Sequence, residues 1–482
     1  MHVDRIIANA VLVDGTGRPP FRGALAVSGE RIAGVGALEG WTADTVCDAG
    51  GKVLAPGFID AHTHDDAALL EGLLEPKISQ GVTSVVTGNC GVSLAPLALG
   101  PGEALPAPLD SVADRKWFRF ERFADWLEAL RAAGTSTNVV PLIGHGTLRV
   151  KVMDALDRPA TEAEIAAMEA LVDEAMAAGA FGVSSGLFYP LAAAAPASEV
   201  VRLARRAAAA GGLYTAHLRD EADAVVAALE EAIAIAAEAG LPLVVSHHKV
   251  SGARNHGRST ETLALIARAA QRQPVYLDAY PYTAGSTTLN ERSWAAASRT
   301  LITWCAARPE LAGRDLAEVA RELGLSEVEA IRALRPAGAV YFMMDESDVE
   351  RILCCPATMI GSDGIPADRH PHPRLWGSFA RVLGHYSRDR GLFPLEEAVH
   401  RMTGLTAARF GLAGRGVLAE GAQADLVMFD AREVREVATF ADPRRPSAGI
   451  AWVMVNGVTV WEEGRATGAR PGRIAERRRE AA

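Results

Sequence analysis

The chain has 482 residues, enough for one large domain with a smaller one or for two to four ordinary domains. Its hydrophobic fraction of 49% and charged fraction of 22% are typical of a soluble protein with a sizeable core. A net charge of -10 at pH 7 argues against general binding to nucleic acid or to a membrane surface.

The cysteines and the N-terminus predict a cytoplasmic location. The five cysteines include no CxxC pair and are odd in number, so we expect a reducing compartment and no disulfide framework. The first residues, "MHVDRIIANAVLVDG", have neither the basic start nor the long apolar core of a signal peptide. No run approaches the roughly 18 apolar residues of a membrane span.

The two ends of the chain predict β structure. Residues 1–56 alternate in short strand-like runs broken by turns, and "ADLVMFDA" and "IAWVMVNGVTVWEEG" repeat this pattern near the other end. An isolated hairpin is only marginally stable. Residues 1–56 and 413–482 are therefore predicted to form one small, discontinuous, β-sandwich-like domain.

Residues 57–412 predict an α/β fold. Short apolar runs alternate with Ala-rich helical stretches, as in βα units around a parallel sheet. The eight candidate strands are "GFIDA", "TSVVTG", "NVVPLIG", "AFGVSS", "LYTAH", "PLVVSH", "VYLDA" and "ATMIGSD". Eight strands predict a closed (β/α)8 TIM-type barrel. Residues 94–117 are predicted to be a loop over one barrel face, and residues 283–345 an insertion that is a candidate lid.

Six polar side chains stand at or just after the predicted strands. They are His62 and His64 after strand one, Cys90 after strand two, His217 and His247 at the ends of strands five and six, and Asp363 at the end of strand eight. Each taken singly is more often a packing residue, an inert thiol or a turn residue. Because the carboxyl ends of barrel strands meet at one rim, the six together predict a zinc centre for hydrolysis.

Several longer motifs resemble one known family. They are "PGFIDAHTHDD", "GNCGVS", "GLFYP", "SHHK", "DAYPYTAGS", "GSDG" and "HPHPRLWGSFARVLGHYSRDRGLFPLEEAVHRMTGLTAARFGL". Over almost its whole length the chain resembles the N-acyl-D-amino-acid deacylases, or D-aminoacylases, of the amidohydrolase superfamily. Many members of that superfamily bridge two metals with a carboxylated lysine on strand four. Here that strand, "AFGVSSG", has no lysine, so the resemblance assigns the bridging role to Cys90.

The resemblance implies one tight and one weaker zinc position. The tight position uses Cys90, His217 and His247, and the weaker one uses His62, His64 and Asp363, with Cys90 able to bridge. In "SHHK" the motif selects His247, whereas His248 faces away if the strand continues. Asp363 is the expected acid–base group, which accepts the proton of the attacking water and delivers it to the leaving amine.

The implied substrate is an N-acylated D-amino acid, which is hydrolysed to a carboxylate and a free D-amino acid. The residues expected to bind its α-carboxylate are Lys249, Tyr280, Ser286 and Arg374. Those expected to line the side-chain pocket are Phe188, Tyr189, Leu289, Tyr341 and Met344. Because "YFMMDESD" offers methionine in place of a polar contact, a broad or apolar preference is predicted. Preference for the D-enantiomer rests on the resemblance alone.

Other functions stay open at the level of the sequence. Specificity for N-acyl-D-glutamate or N-acyl-D-aspartate is the nearest alternative, followed by a cyclic-amide hydrolase, a deaminase or a binding protein that has lost catalysis. The missing strand-four lysine argues against the cyclic-amide hydrolase. A deaminase would need an acid shortly after His217, but Asp220 and Glu221 are predicted to cap the next helix. Arg374 alone could be an exposed surface charge, and the oligomeric state is not predicted.

Overall fold

The computed structural model describes residues 1–100 and 102–477. Both ends of the chain contribute to one nine-stranded sheet. Its strands are β1 (His2–Leu12), β2 (Phe21–Ser28), β3 (Arg31–Gly36), β4 (Thr42–Asp48), β5 (Val53–Pro56), β20 (Leu426–Phe429), β21 (Ile450–Val455), β22 (Val458–Glu462) and β23 (Arg465–Ala466). The strand order is β23-β22-β21-β20-β5-β1-β2-β3, and β4 pairs with β1. Alternation along β1 places Ala10 and Leu12 in a core shared with Leu54 and Leu426.

A second group of strands is parallel and almost completely buried. Its members are β6 (Phe58–Asp60), β7 (Val82–Thr87), β10 (Asn138–Pro141), β11 (Ile143–Gly144), β12 (Gly182–Gly186), β13 (Leu213–His217), β14 (Leu243–Val245), β15 (Val275–Ala279) and β19 (Thr358–Ile360). They form two sheets, of order β10-β7-β6 and β11-β12-β13-β14-β15-β19. Every strand predicted for this region overlaps one of these strands, and "NVVPLIG" overlaps two, because continuous apolar runs mark strands buried on both faces.

Backbone hydrogen bonds connect the two parallel sheets. Between β10 and β11, the N–H of Leu142 donates to the carbonyl of Thr87 on β7 at 2.9 Å. At the other side, the N–H of Asp363 after β19 donates to the carbonyl of His62 after β6 at 2.8 Å. Within the described residues, the predicted single closed sheet is thus present as a three-stranded and a six-stranded sheet.

Helices connect most of the parallel strands. They are α1 (Ala68–Glu71), α2 (Glu75–Ile78), α3 (Leu109–Val112), α4 (Phe123–Ala133), α5 (His145–Val152), α6 (Glu162–Ala178), α7 (Ala197–Ala209), α8 (Val225–Ala239), α9 (Ser259–Ala270), α10 (Glu291–Ala296), α11 (Leu316–Leu323), α12 (Glu327–Leu334), α13 (Glu346–Cys354), α14 (Arg374–Arg381), α15 (Leu395–Met402) and α16 (Gly404–Phe410), with a π-helical segment at Val382–Asp389. The capping box of Thr161 and Glu164 begins α6. In the described part of the chain, no helix has the length and apolar character to cross a membrane.

The insertion between β15 and β19 has a sheet and a core of its own. Its antiparallel strands β16 (Ala284–Thr288), β17 (Arg299–Cys305) and β18 (Ala337–Phe342) are ordered β16-β18-β17. Ile302, Leu316 and Ile331 are among the residues of its core, which includes α11 and α12. The predicted loop at 94–117 contains α3 and the short strand β8 (Leu97–Ala98), which pairs with β9 (Arg119–Phe120).

Candidate metal centre

The parallel strands bring the six predicted ligands to one rim. His62 and His64 follow β6, Cys90 follows β7, His217 ends β13, His247 follows β14 and Asp363 follows β19, and none is more than 6% exposed. The backbone φ angles of Cys90, His247 and Asp363 are 56°, 36° and 50°, in the left-handed region that side chains other than glycine rarely adopt. Strained residues of this kind gather at functional sites, where the surrounding structure holds them.

Cys90 lies at the centre of the cluster. Its Sγ is 3.2 Å from Nε2 of His62 and 3.3 Å from Nε2 of His247. Oδ1 of Asp363 is 3.6 Å from Nε2 of His62 and 3.3 Å from Nε2 of His64. Burial raises the pKa of the Cys90 thiol, but the charges of His62 and His247 outweigh burial and hold that pKa well below its usual value. The cluster therefore favours the thiolate, which is the form that binds metal ions.

The neighbouring histidines differ in their surroundings. The ring centroid of His217 lies 4.5 Å from that of His247. Within the described residues, neither ring nitrogen of His217 has a hydrogen-bond partner. Burying unpartnered polar atoms is costly, and coordination of an ion would satisfy one of them. His248 faces away from the cluster, with Nε2 2.8 Å from Oγ1 of Thr262, and burial lowers its pKa to about 4.

Glu221 lies beside Lys249 and His247 and not at the helix end predicted for it. Asp220 accepts the N–H groups of Ala222 and Ala224 just ahead of α8, as a capping residue would. Glu221 instead turns inward, with Oε1 2.6 Å from Nζ of Lys249 and 3.1 Å from Nδ1 of His247. The helix-cap prediction is therefore wrong for Glu221, whose charge belongs to the cluster.

Arg374 contacts Oδ2 of Asp363, the carboxylate oxygen that does not face His62 and His64. Nη1 of Arg374 lies 2.8 Å from Oδ2 of Asp363, and the guanidinium lies over the ring of Tyr280 at 4.6 Å. Burial raises the pKa of the Asp363 carboxyl, but the charges of Arg374 and His247 hold it well below its ordinary value. Because Arg374 is only 1% exposed, its interpretation as an exposed surface charge is wrong.

A cavity opens beside the cluster. The predicted residues on its wall are Phe188, Tyr189, His217, His247, Lys249, Tyr280, Ser286 and Asp363. Among the described residues, the buried hydroxyl of Tyr280 has no hydrogen-bond partner. The mixture of aromatic and charged side chains on its wall suits a small charged molecule.

Three residues predicted for the side-chain pocket do not line this cavity. Leu289 and Tyr341 belong to the core of the insertion, where the Tyr341 hydroxyl donates to the carbonyl of Thr288 at 2.9 Å. Met344 lines a smaller space beside Lys249 and Tyr280, whereas its neighbour Met343 lines the large cavity.

Several residues of the cavity and of its supports are not predicted by the sequence. Arg292 of α10 lines the cavity, with its guanidinium 4.6 Å from the ring centroid of Phe188. It also donates to the Asp220 carboxylate and, at 2.9 Å, to the carbonyl of Arg219. Asp278 on β15 contacts two of the histidines. The one signal for Asp278 was a charged residue inside an otherwise apolar strand.

A buried set of histidine, cysteine and carboxylate ligands at the ends of parallel strands is the site of a metal-dependent hydrolase. The amidohydrolase family model matches residues 45–307 and 252–461. The chain is 56% identical over 475 residues to a D-aminoacylase of Alcaligenes xylosoxydans xylosoxydans, covering 98% of both chains. It is 53% identical to an N-acyl-D-aspartate deacylase of the same organism, covering 98% of this chain and 94% of that one.

A solved structure is also similar. It is the N-acyl-D-glutamate deacylase of Bordetella bronchiseptica in complex with zinc and a phosphonate inhibitor, with a TM-score of 0.94 and 46% identity. The match covers 98% of this chain and 99% of that chain. The protein belongs to the D-aminoacylase family of the amidohydrolase superfamily.

Proposed function

We propose that this protein is a zinc-dependent deacylase of N-acyl-D-amino acids. The observation that carries the proposal is the buried cluster around Cys90, which opens onto a cavity containing Lys249. A hydrolytic centre and a cation for the substrate carboxylate thus share one space. The D-configuration is supported by the activities named for the similar proteins.

The donor atoms of the cluster fit zinc. Imidazole and thiolate are favoured zinc ligands. The ring of His217, which has no partner among the described residues, and the acidic thiol of Cys90 support a tight position on Cys90, His217 and His247. His62, His64 and Asp363 supply a second, weaker position, with Cys90 next to both sets. Bound zinc supplies Lewis acidity toward water and toward an amide carbonyl.

Asp363 is proposed to move the proton. Its Oδ1 faces the histidines and its Oδ2 is held by Arg374, so the carboxylate has a fixed orientation at the edge of the cavity. Its low pKa keeps it ionised and able to accept a proton from the attacking water. The same carboxyl can then donate that proton to the departing amine nitrogen.

Lys249, Tyr280, Ser286 and Arg374 are proposed to bind the α-carboxylate of the substrate. Lys249 lies 5.7 Å and Arg374 4.6 Å from the ring centroid of Tyr280, so two cations flank one aromatic residue. Nη2 of Arg374 donates to the carbonyl of Ser286 at 3.1 Å, which ties the guanidinium to the insertion. A flat guanidinium and a point charge together suit a carboxylate.

A broad or apolar side-chain preference is proposed. Phe188, Tyr189 and Met343 give the cavity wall an adaptable apolar surface. The second candidate, preference for an acidic side chain, is favoured by Arg292 on the same wall. Because the Arg292 side chain is 49% exposed, solvent screens its charge, and the apolar preference is the better supported.

The finer architecture is proposed as well. Hydrogen bonds such as that from the N–H of Ala61 to the carbonyl of Ile360, at 3.1 Å, support closure of the parallel strands into one eight-stranded barrel. Residues 1–56 and 413–482 are proposed as the β domain, residues 57–412 as the barrel and 283–345 as a lid over the cavity; of these, residues 101 and 478–482 lie outside the described part of the chain. The free thiols of all five cysteines support a cytoplasmic location.

The decisive experiment measures kcat/KM of the zinc-loaded protein on N-acetyl derivatives of D-Leu, D-Met, D-Phe, D-Glu and D-Asp, each beside its L-enantiomer. Fast hydrolysis of the apolar D-substrates is expected. Hydrolysis confined to D-Glu or D-Asp would contradict the apolar preference and retain the deacylase. If no compound turns over, the proposal fails, and release of ammonia from purines and pyrimidines or opening of cyclic amides becomes the next assay.

A further inference from the structure

Asp278 lies on β15 beneath the proposed zinc site and has no role in the mechanism described above. It is 1% exposed. Its Oδ1 accepts the backbone N–H of His247 at 2.8 Å and lies 3.4 Å from Nδ1 of His62. One carboxylate oxygen therefore contacts both His62 and His247. Nε2 of each of these histidines faces Cys90.

We infer that Asp278 is a positioning residue that aims His62 and His247 at the zinc site, an inference that rests on the proposed function. The His62 ring has Nδ1 toward Asp278 and Nε2 3.2 Å from Sγ of Cys90. A carboxylate beside one imidazole nitrogen keeps the proton on that nitrogen and leaves the other lone pair for a metal. The charge of Asp278 therefore favours the orientation in which Nε2 of His62 faces the zinc site.

The second action of Asp278 is on the backbone of His247. With φ of 36°, His247 is held in the left-handed region, and contacts from the surrounding structure must maintain that strain. The Asp278 carboxylate accepts the His247 N–H, and its main-chain carbonyl accepts the His248 N–H at 2.7 Å. Asp278 on β15 therefore holds the backbone of both His247 and His248, and Nε2 of His247 lies 3.3 Å from Sγ of Cys90.

The packing around Asp278 keeps the carboxylate in place. A Cβ atom built on Gly361 would lie 3.0 Å from Oδ1 of Asp278 and 2.7 Å from Cβ of His62. Only glycine at this position allows β19 to approach both side chains so closely. The carboxylate accordingly has little room to turn away from the two histidines.

The test compares Asp278→Asn with the wild type, both loaded with zinc. The asparagine oxygen still accepts the His247 N–H, but it lacks the charge that orients His62. We expect chelator competition to show zinc at the weaker position, which uses His62, bound about ten- to hundredfold more weakly. The absorption spectrum of the Co²⁺-substituted protein should change, and kcat should fall with little change in KM. Asp278→Ala, which removes both contacts, should bind zinc more weakly still.

Asp348→Asn is the matched control. Asp348 is a buried carboxylate that accepts a backbone N–H, from Gly257 at 2.6 Å, in the segment before α9. Its variant should lose thermal stability with zinc affinity and the Co²⁺ spectrum unchanged. If Asp278→Asn behaves in the same way, its role is only structural and the inference is overturned. The proposed function is tested by the zinc content and turnover of the wild type alone. The role of Asp278 is tested by the difference in zinc affinity between Asp278→Asn and the wild type, so the two can fail independently.

Discussion

Nη1 of Arg374 lies 2.8 Å from Oδ2 of Asp363, and both side chains are buried. This ion pair joins the proposed carboxylate-binding group to the proposed proton carrier. Arg374 fixes one oxygen of Asp363 and leaves the other facing His62 and His64. Substrate binding and proton transfer are therefore expected to respond together to changes at either residue.

Replacing Asp363 with Asn should abolish most of the turnover and leave the tight zinc in place. The amide cannot accept the proton of water, and general acid–base catalysis of this kind contributes about 10²–10⁴-fold. The tight position on Cys90, His217 and His247 does not need Asp363. Turnover on N-acetyl-D-Leu and zinc content by atomic absorption would be measured together. Full activity in Asp363→Asn would contradict the assignment.

Replacing Arg374 with Ala should raise KM by about 10-fold or more and also lower kcat. A charge-assisted hydrogen bond to a carboxylate is worth about 1.5–3 kcal/mol, which corresponds to such a change. Arg374→Lys keeps the charge without the two-donor geometry, so its KM should fall between those of Arg374→Ala and the wild type. Steady-state kinetics on N-acetyl-D-Leu would decide, and an unchanged KM in Arg374→Ala would exclude the residue from substrate binding.

Replacing Asp220 with Asn should shift side-chain preference toward acidic substrates. The change frees the charge of Arg292 at the cavity wall while an amide oxygen can still accept the N–H groups of Ala222 and Ala224. Because the Arg292 side chain is 49% exposed, the gain should be modest, about two- to fivefold. The measured quantity is the ratio of kcat/KM for N-acetyl-D-Glu to that for N-acetyl-D-Leu.

The control for this shift is the double variant Asp220→Asn with Arg292→Gln. It lacks the freed guanidinium and should return the ratio to the wild-type value. An unchanged ratio in Asp220→Asn, or a gain that persists in the double variant, would show that Arg292 does not reach the substrate side chain.

The sequence located the strands and the residues at their ends because both depend on local pattern. Parallel strands buried on both faces appear as apolar runs, and the first polar residue after such a run stands at the carboxyl rim. His217 directly ends its strand and Cys90 follows its strand by three residues, so their placement required little knowledge of distant packing.

Residues whose direction depends on distant partners could not be placed from the sequence. Glu221 was expected at a helix end, but the cation of Lys249, 28 residues further along the chain, turns it inward. Met343, the residue after β18, lines the cavity, whereas Met344 lines the smaller space beside Lys249. Tyr341 is aromatic, as many pocket residues are, but its side chain packs in the separate core of the insertion. These outcomes follow from tertiary packing, which local periodicity does not encode.

Asp368 should make the stability of the protein depend on pH. Burial raises the pKa of this carboxyl to about 7, although the charges of Arg374 and Arg444 oppose the shift. In the unfolded chain its pKa is about 3.9, so between these values the folded form holds a proton that the unfolded form releases. The stability contributed by that proton is present at low pH and is lost as pH rises toward 7.

Asp368→Asn cannot ionise and should escape this loss. Relative to the wild type, the variant should therefore gain about 2–3 kcal/mol in free energy of unfolding between pH 5 and pH 8. Urea unfolding of the two zinc-loaded proteins at both pH values measures the gain, and comparing them cancels the pH dependence of zinc binding that they share. An equal difference between variant and wild type at pH 5 and pH 8 would show that Asp368 does not titrate in this range.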